Sequence, residues 1–359
     1  MTLLKIAVVG AGIIGKAHMD LLVASEHCDL AAVVDPCAQA KALAQAKGAA
    51  YFTSLDELLT QARPDGIILA TPNHRHVEQA LACIAAGVPV LIEKPVAHTL
   101  DEGRKLLDAA RSADAKCLVG HHRYHSPIIA KAKQIIGENL LGDLVAVSAS
   151  AMFFKPDDYF EHSPWRTRKG AGPILVNMIH EVGNLRYLCG EIVEVQAMSS
   201  NAQRKYEVED TVALSLRFAN GTLGSFMLCD TAACARSWEQ TSHENKSYAH
   251  YPDEDCYVIA GTEGSLSIPT MRMKRYASKA GRSWWKPFDC TTIELERHDP
   301  LAEQLEHFCA VIRGEADPIV TIHDGLQNLR IVEAISLATK SNASVRIPPI
   351  GQAMADLTC

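Results

Sequence analysis

The chain has 359 residues, of which 48% are hydrophobic and 21% charged. That balance is ordinary for a globular protein, and the length calls for roughly two domains. The formal net charge of -7 argues against a broad nucleic-acid-binding face, which needs surplus Lys and Arg. No apolar run approaches the ~20 residues of a membrane span.

The glycine-broken opening LLKIAVVGAGIIG is not followed by the small-residue cleavage site of a secretory leader. The expectation is a cytoplasmic protein without membrane or nucleic-acid partners. The 11 cysteines are odd in number and irregularly spaced, and Cys83 and Cys309 sit in apolar text. Reduced thiols used as small core residues fit this usage. No C-x-x-C pair marks a zinc site, so no metal is expected.

In chain order, residues 4–9 (LKIAVV) read as a buried parallel strand, apolar on both faces. A glycine-rich turn follows, then a helix to about Ala24 and a second strand, Leu30 to Val34. Residues 38–47 are Ala- and Lys-rich and helical. Asp65-Gly66 precedes a third strand, Ile67 to Ala70. A helix over 74–86 follows, ended by Gly87, with Asn73 either its cap or part of a ligand-side loop. Val88 to Ile92, Leu100 to Ala113 and Cys117 to Val119 complete a strand–helix–strand series. Alternation at this pace predicts a doubly wound parallel sheet.

After about residue 123 the pattern changes. Residues 127–137 are helical, but DLVAVSASAMFF, VEDTVALSLRFANGTLGSFML and DCYVIAGTEGSLSI alternate polar and apolar residues. Asn220-Gly221 between two such runs signals a hairpin. The fold expected is therefore α/β. Residues 1–123 would form a dinucleotide-binding domain. Residues 124–359 would form a substrate-binding and oligomerisation domain on a mainly antiparallel sheet, with helices at 174–188, 300–313 and 324–340.

Gly10-Ala11-Gly12-Ile13-Ile14-Gly15 matches G-x-G-x-x-G between a strand and a helix. The first glycine permits the tight turn, the second admits a pyrophosphate, and the third allows close helix–strand packing. Asp35 ends the second strand 20 residues after Gly15, where an acid holds ribose hydroxyls. A carboxylate there repels a 2′-phosphate, and Pro36-Cys37-Ala38 brings no cation to neutralise one, so NAD is favoured over NADP. The loop Thr71-Pro72-Asn73-His74-Arg75-His76 follows the third strand at the carboxyl edge, the ligand side of such sheets. Glu93-Lys94-Pro95 follows the fourth. A lysine there can donate to a developing alkoxide or exchange a proton.

GAGIIG, ATPNHRH and LIEKPVAHTLDEG, in this order and spacing, resemble the Gfo/Idh/MocA family of glucose–fructose oxidoreductase and inositol dehydrogenase. GHHR with Pro127, Trp165-Arg166, GAGPILVNMIHEVGNLRYLCG, VEDTVAL, GTEGSL and PLAEQLEHFCAVIRGE extend the likeness over nearly the whole chain. The resemblance implies a Rossmann domain followed by an α/β domain with an open sheet that often builds the oligomer contact. It implies Lys94 and His180 as active-site residues and a cis bond before Pro95.

Three positions depart from the pattern. Val176 stands where many members carry Asp or Asn, Gly183 where many carry Asp, and His122 where Asn is common. The cofactor set is then Gly10, Gly12, Ile13, Ile14, Gly15, Asp35, Thr71, Pro72, Asn73, His76, Glu93, Lys94 and His122. The substrate set is Lys94, Arg123, Trp165, Arg166, Asn177 and His180.

His121, His122 and His125 form an H-H-x-x-H cluster, but neighbours on a strand point to opposite faces. Packing or cofactor contact is therefore favoured over metal. Residues 231–256 read as a long loop, either a lid or a surface contact. Trp284-Trp285 reads as exposed at a subunit interface.

The expected activity is NAD-dependent oxidation of a secondary alcohol on a sugar, sugar acid or cyclitol, in a homodimer or homotetramer. One alternative is a dihydrodiol dehydrogenase for a carboxylated cyclohexadiene, gripped by Arg123, Arg166 and Arg168. Another is a non-catalytic NAD-sensing regulator, against which the retention of Lys94 and His180 argues.

Overall fold

The computed structural model describes residues 2–348 and divides the chain into two compact units. One takes residues through His125 together with Pro300–Leu329. The other takes Ser126–Asp299 and, of the described residues, 330–348. The segment 300–329, expected with the second domain, thus groups with the first.

The first unit alternates β1 (Leu4–Val9), α1 (Ile13–Ala24), β2 (Cys28–Val34), α2 (Ala38–Ala46), β3 (Ala50–Phe52), α3 (Leu55–Gln61), β4 (Gly66–Leu69), α4 (Asn73–Ala85), β5 (Val90–Glu93), α5 (Leu100–Ser112) and β6 (Cys117–Gly120). The strands form one parallel sheet of order β3-β2-β1-β4-β5-β6. Its central strands are apolar on both faces because helices cover both. Ile6, Val8, Ile67, Ile68, Leu69 and Leu91 are fully buried. The helix Pro300–Arg313 packs Phe308 and Ile312 against Gly66 at the start of β4.

Two local elements differ from expectation. β3 and α3 were not expected, so the sheet has six strands rather than five. Asn73 is the first residue of α4 rather than its cap, a position taken by Pro72.

The second unit begins with α6 (Pro127–Gly137), whose first turn is capped by Ser126 Oγ accepting from Ile128 N and Ile129 N. Then come β7 (Leu144–Met152), α7 (Asp157–Glu161), α8 (Pro173–Val176), α9 (Met178–Cys189), β8 (Ile192–Ser200), β9 (Thr211–Phe218), β10 (Leu223–Cys229), α10 (Trp238–Thr241), β11 (Tyr257–Gly261), β12 (Gly264–Ile268), β13 (Arg272–Arg275) and β14 (Asp289–Thr292). The last elements are α11, the helix Pro300–Arg313 already placed with the first unit, then α12 (Ile322–Ser341) and β15 (Val345–Arg346).

The second sheet runs β14-β13-β12-β11-β7-β10-β9-β8-β15 and is antiparallel except between β7 and β10. Asn220-Gly221 does join an antiparallel pair, with Gly221 N donating to Phe218 O. Inward residues Val147, Ala149, Val212, Leu214, Phe226 and Ile259 pack with Ile179, Val182 and Leu185 of α9 into one core. The helix expected over 174–188 is broken into α8 and α9 at Asn177.

Residues 231–256 are mostly loop, with 243–254 largely exposed. They carry α10, with Ser237, Trp238, Thr241 and Ser242 buried and Trp238 stacked on Tyr257. Trp284 and Trp285 are exposed, at 86% and 83%. Among the described residues all ten cysteines are free thiols, and no helix is long and apolar enough to cross a membrane.

Candidate active site

At the carboxyl ends of β1 and β2 the backbone is shaped around glycine. Gly10 has φ +102°, and a Cβ there would lie 2.5 Å from Ala70 O. A Cβ on Gly15 would meet Gly10 O at 2.0 Å, so α1 approaches the turn too closely for any side chain. At Gly12 a Cβ would meet nothing within 4 Å. Gly12 is also the N-cap of α1, and no side chain caps that end. The N–H groups of the first turn, Ile13 to Gly15, therefore lack a side-chain acceptor, and the space at Gly12 is open, which suits a pyrophosphate. Ile13 is 83% exposed, an apolar surface that a bound dinucleotide would cover.

Asp35 is fixed by two backbone donors, Ala11 N to Oδ2 and Cys37 N to Oδ1, each at 2.8 Å. Each carboxylate oxygen retains a lone pair for ribose. These residues fit NAD.

Beyond β4, Thr71 Oγ1 donates to Gln79 Oε1 at 2.6 Å, while Pro72 and Asn73 open α4. His76 is buried, and each of its ring nitrogens lies 2.8 Å from a carbonyl, Pro95 O and Thr71 O. It ties the loops after β4 and β5 together, so its link to the cofactor edge is through the backbone. Burial lowers its pKa against those two carbonyls, which favour the charged ring.

Beyond β5, the Lys94–Pro95 bond is cis and Lys94 is half-buried. Glu93 is buried, accepting from His18 Nε2 at 2.8 Å and from Lys94 N at 3.2 Å. Burial pushes the Glu93 carboxyl up, but the His18 hydrogen bond and the attraction of His18 and Lys94 outweigh it. The carboxyl is held below its ordinary range. His18 was missed in the sequence. Its signal was position: three residues beyond Gly15, on the α1 face that also buries Met19 and Leu22.

The three histidines after β6 are not on a strand. His122–His125 form a 3-10 turn that sends them apart. His121 is buried against Asn328, Nε2 to Nδ2 at 3.2 Å, and His125 packs on His307 with centroids 5.1 Å apart. Among the described residues no three His, Cys, Asp or Glu side chains group as metal ligands. Burial, reinforced by Arg123, pushes His122 down to about 3. It is thus a neutral ring at physiological pH. Arg123 is buried.

In the second unit, α9 holds His180 in its first turn, with His180 N donating to Asn177 O at 3.0 Å. His180 is 9% exposed. Val176 ends α8 and Gly183 lies buried inside α9. Trp165 is 56% exposed. Arg166 donates Nη1 to Tyr159 O at 2.8 Å and lays its guanidinium 3.8 Å from the Tyr159 ring centre. Arg168 is exposed and engaged by Glu207 at 2.8 Å, which leaves it poorly suited to hold a ligand.

A residue absent from the sequence expectations joins this group. Lys155 is buried and donates Nζ to Asn177 Oδ1 at 2.7 Å, with Asp230 at 3.5 Å. The signal was parity: Val147, Ala149, Ala151, Phe153 and Lys155 fall on the inward side of the β7 run.

A six-stranded parallel sheet of this order, with a glycine turn before α1 and an acid after β2, defines an NAD-binding Rossmann oxidoreductase scaffold. The chain belongs to the GFO/IDH/MocA oxidoreductase family. Its residues 4–121 match the family's NAD-binding Rossmann profile and residues 129–267 match the GFO/IDH/MocA C-terminal domain. It is 26% identical over 339 residues to the rhizopine catabolism protein MocA of Rhizobium meliloti, covering 93% of this chain and 94% of that protein. It is 24% identical to the inositol 2-dehydrogenase of Rhizobium meliloti strain 1021, covering 95% of this chain and 99% of that protein. Among solved structures it resembles the WlbA dehydrogenase of Bordetella pertussis in complex with NADH and UDP-GlcNAcA. The TM-score is 0.76 at 23% identity, covering 97% and 99% of the two chains.

Proposed function

We propose that the protein is an NAD-dependent dehydrogenase that oxidises a secondary alcohol of a polyhydroxylated ring: a sugar, sugar acid or cyclitol. The observation that carries this reading is a lysine at the carboxyl edge of β5, backed by the buried His18–Glu93 pair. It stands in a chain that also keeps a buried histidine in the first turn of α9. Relatives named inositol 2-dehydrogenase and 1,5-anhydro-D-fructose reductase support the substrate class.

Gly10, Gly12, the first turn of α1 and Asp35 would hold the dinucleotide. When bound, NAD supplies the ring carbon that accepts a hydride. His180 takes the hydroxyl proton on an imidazole nitrogen, as general base. Lys94 Nζ donates to the same oxygen and stabilises its alkoxide character. Neutral His122 adds no charge to that edge. The outward side of the second sheet would join copies of the chain.

Replacing Lys94 by Ala tests the assignment. Turnover is expected to fall by about 10² to 10⁴, the usual share of a positioned acid–base group, while NAD affinity measured by fluorescence titration stays close to wild type. Near-normal turnover of that variant would refute the role.

A further inference from the structure

β7 leaves the sheet at Met152, and its alternation carries Lys155 inward. The backbone there stays ordered beside the β10 strand end, since Phe153 N donates to Cys229 O and Lys155 N to Asp230 O. A buried ammonium has three protons to place. One goes to Asn177 Oδ1 at 2.7 Å. Asp230 lies at 3.5 Å, beyond a good hydrogen bond, and its Oδ1 is already taken by Arg204 Nε at 3.1 Å. Most of what surrounds the remaining donor capacity is aromatic: Phe153 and Tyr159 have ring centres 5.5 and 4.9 Å from Nζ. Burial accordingly pulls the Lys155 pKa down, against the attraction of Asp230 and, farther off, Glu239.

The hydrogen bond to Oδ1 also fixes which way the Asn177 amide faces. With its acceptor engaged by Lys155, Asn177 presents its Nδ2 donor, which has no protein acceptor among the described residues. Asn177 is the residue at the α8–α9 break, and its carbonyl receives His180 N. Arg166 adds a third donor: its Nε is buried without a hydrogen-bond partner, while its guanidinium lies on the Tyr159 ring. Lys155, Asn177 and Arg166 therefore offer donors beside the Asp230 carboxylate, whose Oδ1 Arg204 engages, while Val176 offers no acceptor. Such a set, with Asp230 already engaged by Arg204, favours a group that accepts.

We propose that Lys155, through its ammonium and its hold on the Asn177 amide, selects substrates bearing a carboxylate over their neutral counterparts. This rests on the dehydrogenase reading and narrows its substrate class to acids, such as sugar acids. Arg166 supplies the second cation of the same subsite.

The test is calorimetric binding to the full chain loaded with NAD, using two matched pairs: D-glucuronate against D-glucose, and L-tartrate against L-threitol. One carboxylate replaces a hydroxymethyl group in glucuronate, and two do so in tartrate. At least one acid is expected to bind about tenfold to a hundredfold tighter than its neutral partner, the effect of a charge-assisted hydrogen bond. In Lys155→Met that ratio should collapse toward one. If Lys155→Met does not fold, Lys155→Gln and Asn177→Asp serve the same comparison, with the new Asp expected to repel the acids. Absence of any acid preference in the wild type overturns the proposal, as does an equal loss for both members of a pair. Binding is read without turnover, so failure of the dehydrogenase reading would show separately, as no nicotinamide reduction with any polyol.

Discussion

Gly15 and Asp35 show how single residues set the cofactor end. A methyl group on Gly15 would need to occupy a point 2.0 Å from Gly10 O, so α1 must retreat from the turn. Gly15→Ala is expected to raise the NAD dissociation constant by about tenfold or more, with roughly 1–3 kcal/mol of overpacking strain. Fluorescence titration and denaturant unfolding check both effects, and an unchanged affinity would contradict the close-approach argument. Both residues were legible in the sequence, because G-x-G-x-x-G and an acid at the end of the next strand are local patterns with one physical purpose. His18 was not, since only the folded sheet brings α1 beside Glu93 at the end of β5. Lys155 was half-legible: its inward parity could be counted, but its partner Asn177 lies 22 residues away.

At the scale of elements, long periodic runs were read well and short ones were not. α5 and α6 match their expected ranges, and the Asn220-Gly221 hairpin is present. β3 has three residues and α3 seven, too short for periodicity to emerge. A capping signal was nonetheless present: Ser54 Oγ accepts from Glu57 N, and Glu57 Oε2 accepts from Thr53 N. The break at Asn177 has no breaker residue to announce it, and the Lys155 hydrogen bond to its side chain is a tertiary one.

The outward face of the second sheet carries another consequence. Ser148, Ser150, Ala213, Ser225 and Met227 line a shallow groove of 240 Å³ there. Its serines and alanine, edged by Met227 and Arg236, suit sheet-on-sheet packing. The double substitution Ser225→Arg with Met227→Arg is expected to convert an assembled protein to monomer in analytical ultracentrifugation. Wild type that sediments as a monomer would contradict that use of the face.

For the whole molecule, the return of residues 300–329 to the first unit was invisible in the sequence, because it depends on contacts between distant segments. The same burial shapes acid stability. Burial pushes His122 and His125 each down to about 3, with Arg123 and His307 adding to it. The folded chain keeps both rings neutral, while the unfolded chain protonates them below about 6.5. Between those values the unfolded state binds more protons, so stability rises with pH and falls as the solution is acidified. Each ring contributes at most about 1.4 kcal/mol per pH unit in that window. Urea midpoints should drop from pH 7 to pH 4.5, and His125→Phe should flatten the drop. A midpoint that holds or rises in acid would contradict the neutral-ring assignment.

Hydride transfer from a ring alcohol to NAD is the proposed chemistry. The measurement that meets it most directly is absorbance at the reduced-nicotinamide band, with NAD or NADP, over neutral sugars, sugar acids, inositols and carboxylated ring diols. NAD-linked reduction is expected with one of these classes, and its loss in Lys94→Ala. Silence across the panel from a protein that binds NAD tightly would contradict it.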